Sequence, residues 1–142
     1  YAWGLCLDKD VNTVMMVDEA HVLLSGHNEL GAEFLAQIQR RSRKYNTGTI
    51  IITQQPTDFA APNIITHGKA IFDNASYYIV MGLRKQAVED LAKLIDLNEN
   101  EKETIKYYNQ GEALFICGNK RMKIQIVVTQ EELDSFGSGG GF

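Results

Sequence analysis

The chain has 142 residues, 44% hydrophobic and 23% charged, with a formal net charge of −4. That length holds one domain or part of one, and the composition excludes a disordered chain. The acidic balance excludes a globally basic surface, so any contact with nucleic acid must be local. Cys6 and Cys117 stand far apart without metal-ligand spacing and read as reduced, partly buried thiols, as in a cytosolic protein. The longest apolar stretches, four or five residues, are too short to span a membrane or to serve as a signal peptide. The chain begins at Tyr1 rather than Met, which suggests an excised fragment.

Residues 1–9 are too short and mixed to assign and read as the end of an earlier element. A Val/Met run over about 13–18 predicts a strand buried on both faces. A helix is expected over 28–45, with Leu30, Phe34, Ile38 and Tyr45 on one face. Asn46-Thr47-Gly48 ends it, with Gly48 as a left-handed cap. Thr49 to Thr53 is a second buried, β-branched strand, and Gln54-Gln55-Pro56 leaves it at the sheet edge that carries Asp18. Pro62 opens a short helix through about Phe72.

Tyr77 to Leu83 is the third strand, ending at Arg84. Two helices follow, over 85–95 with Val88, Leu91, Leu94 and Ile95 inward, and over 99–108 with Ile105 and Tyr108 inward. Glu112 to Cys117 and Met122 to Val128 flank Gly118-Asn119-Lys120-Arg121 as an antiparallel hairpin. Residues 137–142 read as a flexible glycine-rich tail after a domain spanning 1–136. The resulting α/β order implies a parallel core, an antiparallel edge and helical crossovers, with helices on both faces of the sheet.

The chemistry concentrates where the first strand ends. Val14 to Val17 stops at two adjacent acids, Asp18 and Glu19. Ligands of parallel sheets bind beyond the carboxyl ends of strands, and adjacent side chains there diverge. One acid can face a magnesium shell while its neighbour orients or deprotonates a water, which is the Walker B arrangement of P-loop NTPases. The bland alternative is that both acids cap the following helix. No Gly-x-x-x-x-Gly-Lys-Ser/Thr occurs in the 142 residues, so the phosphate-binding loop that Walker B serves is not among them.

Gln54 ends the second strand, where one amide can donate to phosphate and accept from water. A turn-forming role before Pro56 is the alternative, and Gln55 competes for the same assignment. Arg40, Arg41, Arg43 and Lys44 crowd a helix C-terminus, where most serve solvation and the helix dipole. Arg43 points away from the apolar face and is a candidate arginine finger for a neighbouring subunit. His21 packs or couples conformations rather than ligating metal, since no second ligand sits at metal spacing, and His27 and His67 read as structural. Arg84 can reach nucleotide or form a surface ion pair.

Val-Met-Met-Val-Asp-Glu-Ala-His-Val-Leu-Leu, then Arg-Arg-Ser-Arg-Lys-Tyr-Asn-Thr-Gly-Thr-Ile-Ile-Ile-Thr-Gln-Gln, then Gly-Glu-Ala-Leu-Phe-Ile, together resemble the conjugative type IV secretion ATPases. These are TraC/TraE-like members of the HerA–FtsK group of RecA-like motors, and the likeness runs from about residue 10 to 130. It implies an ATP- and Mg2+-dependent hexameric motor that energises transfer of DNA or protein. Its partners would be secretion-channel or coupling proteins, with DNA as a further candidate, and its place the cytoplasmic side of a membrane complex. Carried over, Asp18 would organise the magnesium shell, Glu19 would be the base and Gln54 the γ-phosphate sensor. Arg43, eleven residues before Gln54, would act across the subunit boundary.

The family's N-terminal domain and its Walker A strand, loop and helix are absent from these residues, and that strand belongs between the second and third strands here. The expectation is therefore a C-terminal fragment that does not hydrolyse ATP alone and that closes its gap by rearrangement or association, or is marginally stable. Two other readings compete. A superfamily 2 helicase shares Asp-Glu-Ala-His, but Thr53-Gln54-Gln55 is a poor match for its Ser/Thr-Ala-Thr element. A non-catalytic interaction module would keep the fold without nucleotide chemistry.

Overall fold

A computed structural model describes residues 4, 6, 8, 10–26 and 28–137. Most of the element expected at 1–9, the assignment of His27 and the tail beyond Gly137 lie outside the described residues.

Strand β1 (Thr13–Val17) pairs in parallel with β2 (Thr47–Ile51), from Thr13 opposite Thr47 to Val17 opposite Ile51. The parallel pairing extends past both strands, since Ile52 N donates to Val17 O at 2.9 Å and Ala20 N to Ile52 O at 2.9 Å. The expectation that β1 is buried on both faces is corrected. Thr13, Met15 and Val17 are half-buried, whereas Val14 and Met16 are 68% and 61% exposed. Side chains alternate across a strand, and in this chain helices cover only the face that carries Val17 and Ile51.

Helix α1 (Glu29–Arg41) connects the two strands and is capped by Asn28, whose Oδ1 accepts from Gly31 N. A 3₁₀ turn (Ser42–Tyr45) completes the predicted 28–45 segment. The left-handed stop is Asn46 at φ 49°, not Gly48, which lies inside β2. The inward face also differs from the expectation. Ala32, Leu35, Ala36, Ile38 and Gln39 are buried, while Leu30 and Phe34 are exposed. The helix packs through its small residues: a Cβ on Gly31 would lie 2.1 Å from Leu23 O, so only a narrow face fits.

Pro56 opens helix α2 (Pro56–Phe59), and the helix expected from Pro62 begins instead at Ile65 as α3 (Ile65–Asp73). Strand β3 (Tyr77–Met81) stops two residues short of Leu83. Helix α4 (Lys85–Leu91) unwinds into turns through Ile95, and α5 (Glu99–Ile105) starts with an Asn98/Glu101 capping box. The hairpin β4 (Glu112–Cys117) and β5 (Lys120–Gln125) turns on two residues, with Gly118 at φ 55° where a side chain would be strained. A further helix, α6 (Gln130–Phe136), carries a Thr129/Glu132 capping box. That Thr-x-x-Glu signal stands in the sequence.

The strands form two sheets, β1-β2 parallel and β3-β4-β5 antiparallel. Strands β2 and β3 share no ladder, so the gap expected between the second and third strands is not closed by their pairing. Two apolar clusters lie on the helical side. The first joins Leu24, Leu35, Phe59 and Ile71, and the second joins Val88, Leu91, Ile105 and Leu114. Phe72 belongs to both margins. Its ring meets Phe59 edge-on at 5.7 Å and stacks on Tyr78 at 6.3 Å.

Candidate functional site

Parallel pairing brings the carboxyl ends of β1 and β2 together, and the polar residues that follow each strand meet there. Asp18 folds its own carboxylate back so that Oδ1 accepts from Glu19 N at 2.8 Å. Glu19 then adopts φ 48°, ψ 44°, a left-handed conformation uncommon for a residue with a long side chain. Val22 N donates to Glu19 O at 2.9 Å, which starts the 3₁₀ helix Ala20–Leu24 directly after the acid. This strained corner is held by Ala20, fully buried and tied to the backbone of Ile52.

Opposite it, Gln54 Nε2 donates to Glu19 Oε1. Gln55 turns aside, its backbone N bonded to Thr53 Oγ1 at 3.1 Å as α2 begins. Of the two glutamines, Gln54 is the one that the fold sets against Glu19. The other carboxylate oxygen, Oε2, faces His21 Nδ1 at 3.2 Å. That contact is misaligned for a hydrogen bond, so both atoms are enclosed yet unsatisfied.

Asp18 is exposed, and beyond the bond from Glu19 N its carboxylate has no partner among the described residues. An open groove of about 550 Å³ runs beside it, with Met16, Val17, Glu19, Leu23 and Phe34 in its walls. No cluster of three or more His, Cys, Asp or Glu suited to a metal occurs among the described residues. Mg2+ held by substrate phosphates, waters and one or two carboxylates needs no such cluster, so the free Asp18 oxygen fits that ion.

The remaining candidates lie elsewhere. Arg43 sits in the 3₁₀ turn before β2, and its Nη2 donates to Ser76 Oγ at 3.1 Å just before β3. The whole of β2 separates it from Gln54, roughly 16 Å at ordinary strand rise, so it does not reach the Glu19 site of its own chain. Arg84 is the exposed N-cap of α4, and its guanidinium has no partner among the described residues. Neither arginine is brought to Asp18, Glu19 or Gln54.

One supporting residue escaped the sequence reading. Asp90 on α4 is buried, accepts from Lys93 Nζ at 2.6 Å and from Gln86, and is bonded by Thr57 on α2. The Lys93 ammonium holds its carboxyl below the usual range against the opposing effect of burial. It thus fastens α2, the helix that follows Gln54 and Gln55, to the second cluster. The Asp90–Lys93 spacing of three was visible in the sequence, but nothing local distinguished it from a surface pair.

The family of TraG P-loop domains matches residues 5–134. VirB4 of Thermoanaerobacter pseudethanolicus superposes with a TM-score of 0.84 at 32% identity, over 93% of this chain and 36% of that one. The genome packaging NTPase B204 from Sulfolobus turreted icosahedral virus 2, solved in complex with AMPPCP, gives a TM-score of 0.53 at 16% identity over 83% of this chain and 54% of its own, a likeness of fold alone. An uncharacterized Bacillus anthracis protein is 24% identical over 139 residues, 92% of this chain. The chain spans 22% of that relative and 36% of VirB4.

Proposed function

Because the chain belongs to the TraG P-loop domain family and shares the fold of VirB4, we propose that it carries the hydrolytic side of an ATP-driven motor for conjugative transfer or type IV secretion. The observation that carries this reading is the Glu19 carboxylate at the tip of β1, met by the Gln54 amide from the tip of β2. Glu19 is the base: its Oε1 takes a proton from the attacking water once the Gln54 amide releases it. Gln54 is the sensor, its amide exchanging Glu19 for the terminal phosphate while its carbonyl orients the water. Asp18 would hold Mg2+ through its free oxygen, and that ion would supply neutralisation of the charge on the phosphates.

Arg43 acts in trans. Its position at the amino end of β2, away from Glu19 of its own chain, leaves it for a nucleotide held by a neighbouring subunit of a ring, most simply a hexamer. Arg84, exposed and unpartnered among the described residues but away from Glu19, is available to a nucleotide phosphate or to a surface ion pair. The phosphate cradle itself is not among these 142 residues, so hydrolysis belongs to a polypeptide or assembly that supplies it. No helix of the described residues is long and apolar enough to cross a membrane, which suits a motor docked on channel or coupling proteins at the cytoplasmic side, with DNA as a further partner.

The test is steady-state ATP hydrolysis by the complete gene product. Glu19→Gln lowers kcat by about 10²–10⁴ while nucleotide binding, followed by fluorescent ATP analogue, persists. Undiminished turnover in that variant removes the base assignment and favours a non-catalytic interaction module.

A further inference from the structure

We infer that His21 is a positioning residue that commits one oxygen of Glu19 and leaves the other to do the chemistry; this rests on the reading of Glu19 as the base. The two oxygens of that carboxylate have different surroundings. Oε1 takes the Gln54 amide, which comes from another strand. Oε2 faces His21 Nδ1 at 3.2 Å, and both of these atoms are closed off from solvent without an aligned hydrogen bond.

Enclosed polar atoms left unsatisfied are few in native proteins, and two of them facing each other demand a reason. Local structure sets the His21 backbone beside Glu19: it is the second residue of the 3₁₀ helix that starts where Glu19 turns left-handed. A small rotation of either side chain aligns an Nδ1–H with Oε2. The terminal torsion of a glutamate is broad and roughly two-fold, so an unheld carboxylate presents either oxygen to the water. With Oε2 committed to His21, only Oε1 exchanges partners, from the Gln54 amide to the attacking water. His21 therefore acts through Glu19, and its loss lowers the rate of the chemical step without changing how ATP is held.

Steady-state ATP hydrolysis by the complete gene product tests this. His21→Leu lowers kcat about tenfold or more at unchanged KM. His21→Asn, whose Nδ2 sits close to where Nδ1 does, recovers most of that loss. In a Glu19→Gln background, His21→Leu removes nothing further. Full kcat in His21→Leu overturns the inference, as does an equal loss in the Glu19→Gln background. Should the leucine variant fail to fold, His21→Gln replaces it, since it keeps a donor but moves it away from Oε2: a lower kcat at constant KM supports the inference and an unchanged kcat overturns it. Full turnover in Glu19→Gln alone instead overturns the base reading beneath it, so the two failures are distinguishable.

Discussion

The amide nitrogen of Gln54 donates to Oε1 of Glu19 across 35 positions of sequence, and parallel pairing of the strands that precede them brings the two groups together. A polar pair at adjacent strand tips is the expected form of a ligand site in a parallel sheet, beyond the carboxyl ends of its strands.

Removing the amide tests its share of the work. In the complete gene product, Gln54→Ala should lower kcat for ATP about a hundredfold, the usual cost of losing one aimed donor. Gln55→Ala should change it only slightly, because that residue turns away into α2. Equal losses in the two variants would show that the assay reads the turn rather than the amide.

Arg43 lies before the amino end of β2, the whole strand away from its own Glu19. Arg43→Ala and Glu19→Gln subunits should therefore each be inactive alone and regain ATPase activity when mixed, each supplying the half-site that the other lacks. Mixed oligomers, verified by size, that stay inactive would count against action in trans.

Gly68 in α3 is a case where two effects oppose. Alanine in a helix interior is ordinarily favoured over glycine by roughly 0.5–1 kcal/mol. Here the added Cβ would lie 2.1 Å from the backbone oxygen of Phe59, which no side-chain rotation relieves. Overpacking of about 1–3 kcal/mol wins, so Gly68→Ala should lower the midpoint of denaturant unfolding. A raised midpoint would mean that α3 moves freely against the Phe59 turn.

Asp90 makes stability depend on pH in a definite direction. Its folded pKa is lowered, chiefly by Lys93, so its contribution is present above the unfolded carboxylate pKa of about 3.9 and is lost as pH falls through the folded value. Asp90→Asn should cost about 1–3 kcal/mol at pH 7, measured by urea unfolding, and the gap to the parent should narrow progressively as pH falls below about 4. A gap that persists undiminished at pH 3 would assign the loss to packing.

Local patterns carried much of this protein on their own. The Val/Met run that stops at Asp18-Glu19, the β-branched run that stops at Gln54, and the glycine-led turn after Cys117 are each short-range signals, and the order of the strands follows from them. The turn is two residues, Gly118-Asn119, rather than four, because Lys120 pairs with Cys117. The face that α1 buries was not legible. Leu30 and Phe34 have helical spacing, yet the core takes Ala32, Leu35, Ala36 and Ile38, because the face that packs is set by the neighbouring elements, with Gly31 against the Leu23 backbone. The outer face of β1 was misread for a related reason: an apolar run says that a strand can be buried on both sides, and only the packed helices decide which side is.

The left-handed turn at Glu19, its contacts with Gln54 and His21, and the separation of Arg43 from all three arise from how strands and turns meet in space. Periodicity determines what each segment prefers; the register between segments decides which side chains share a site.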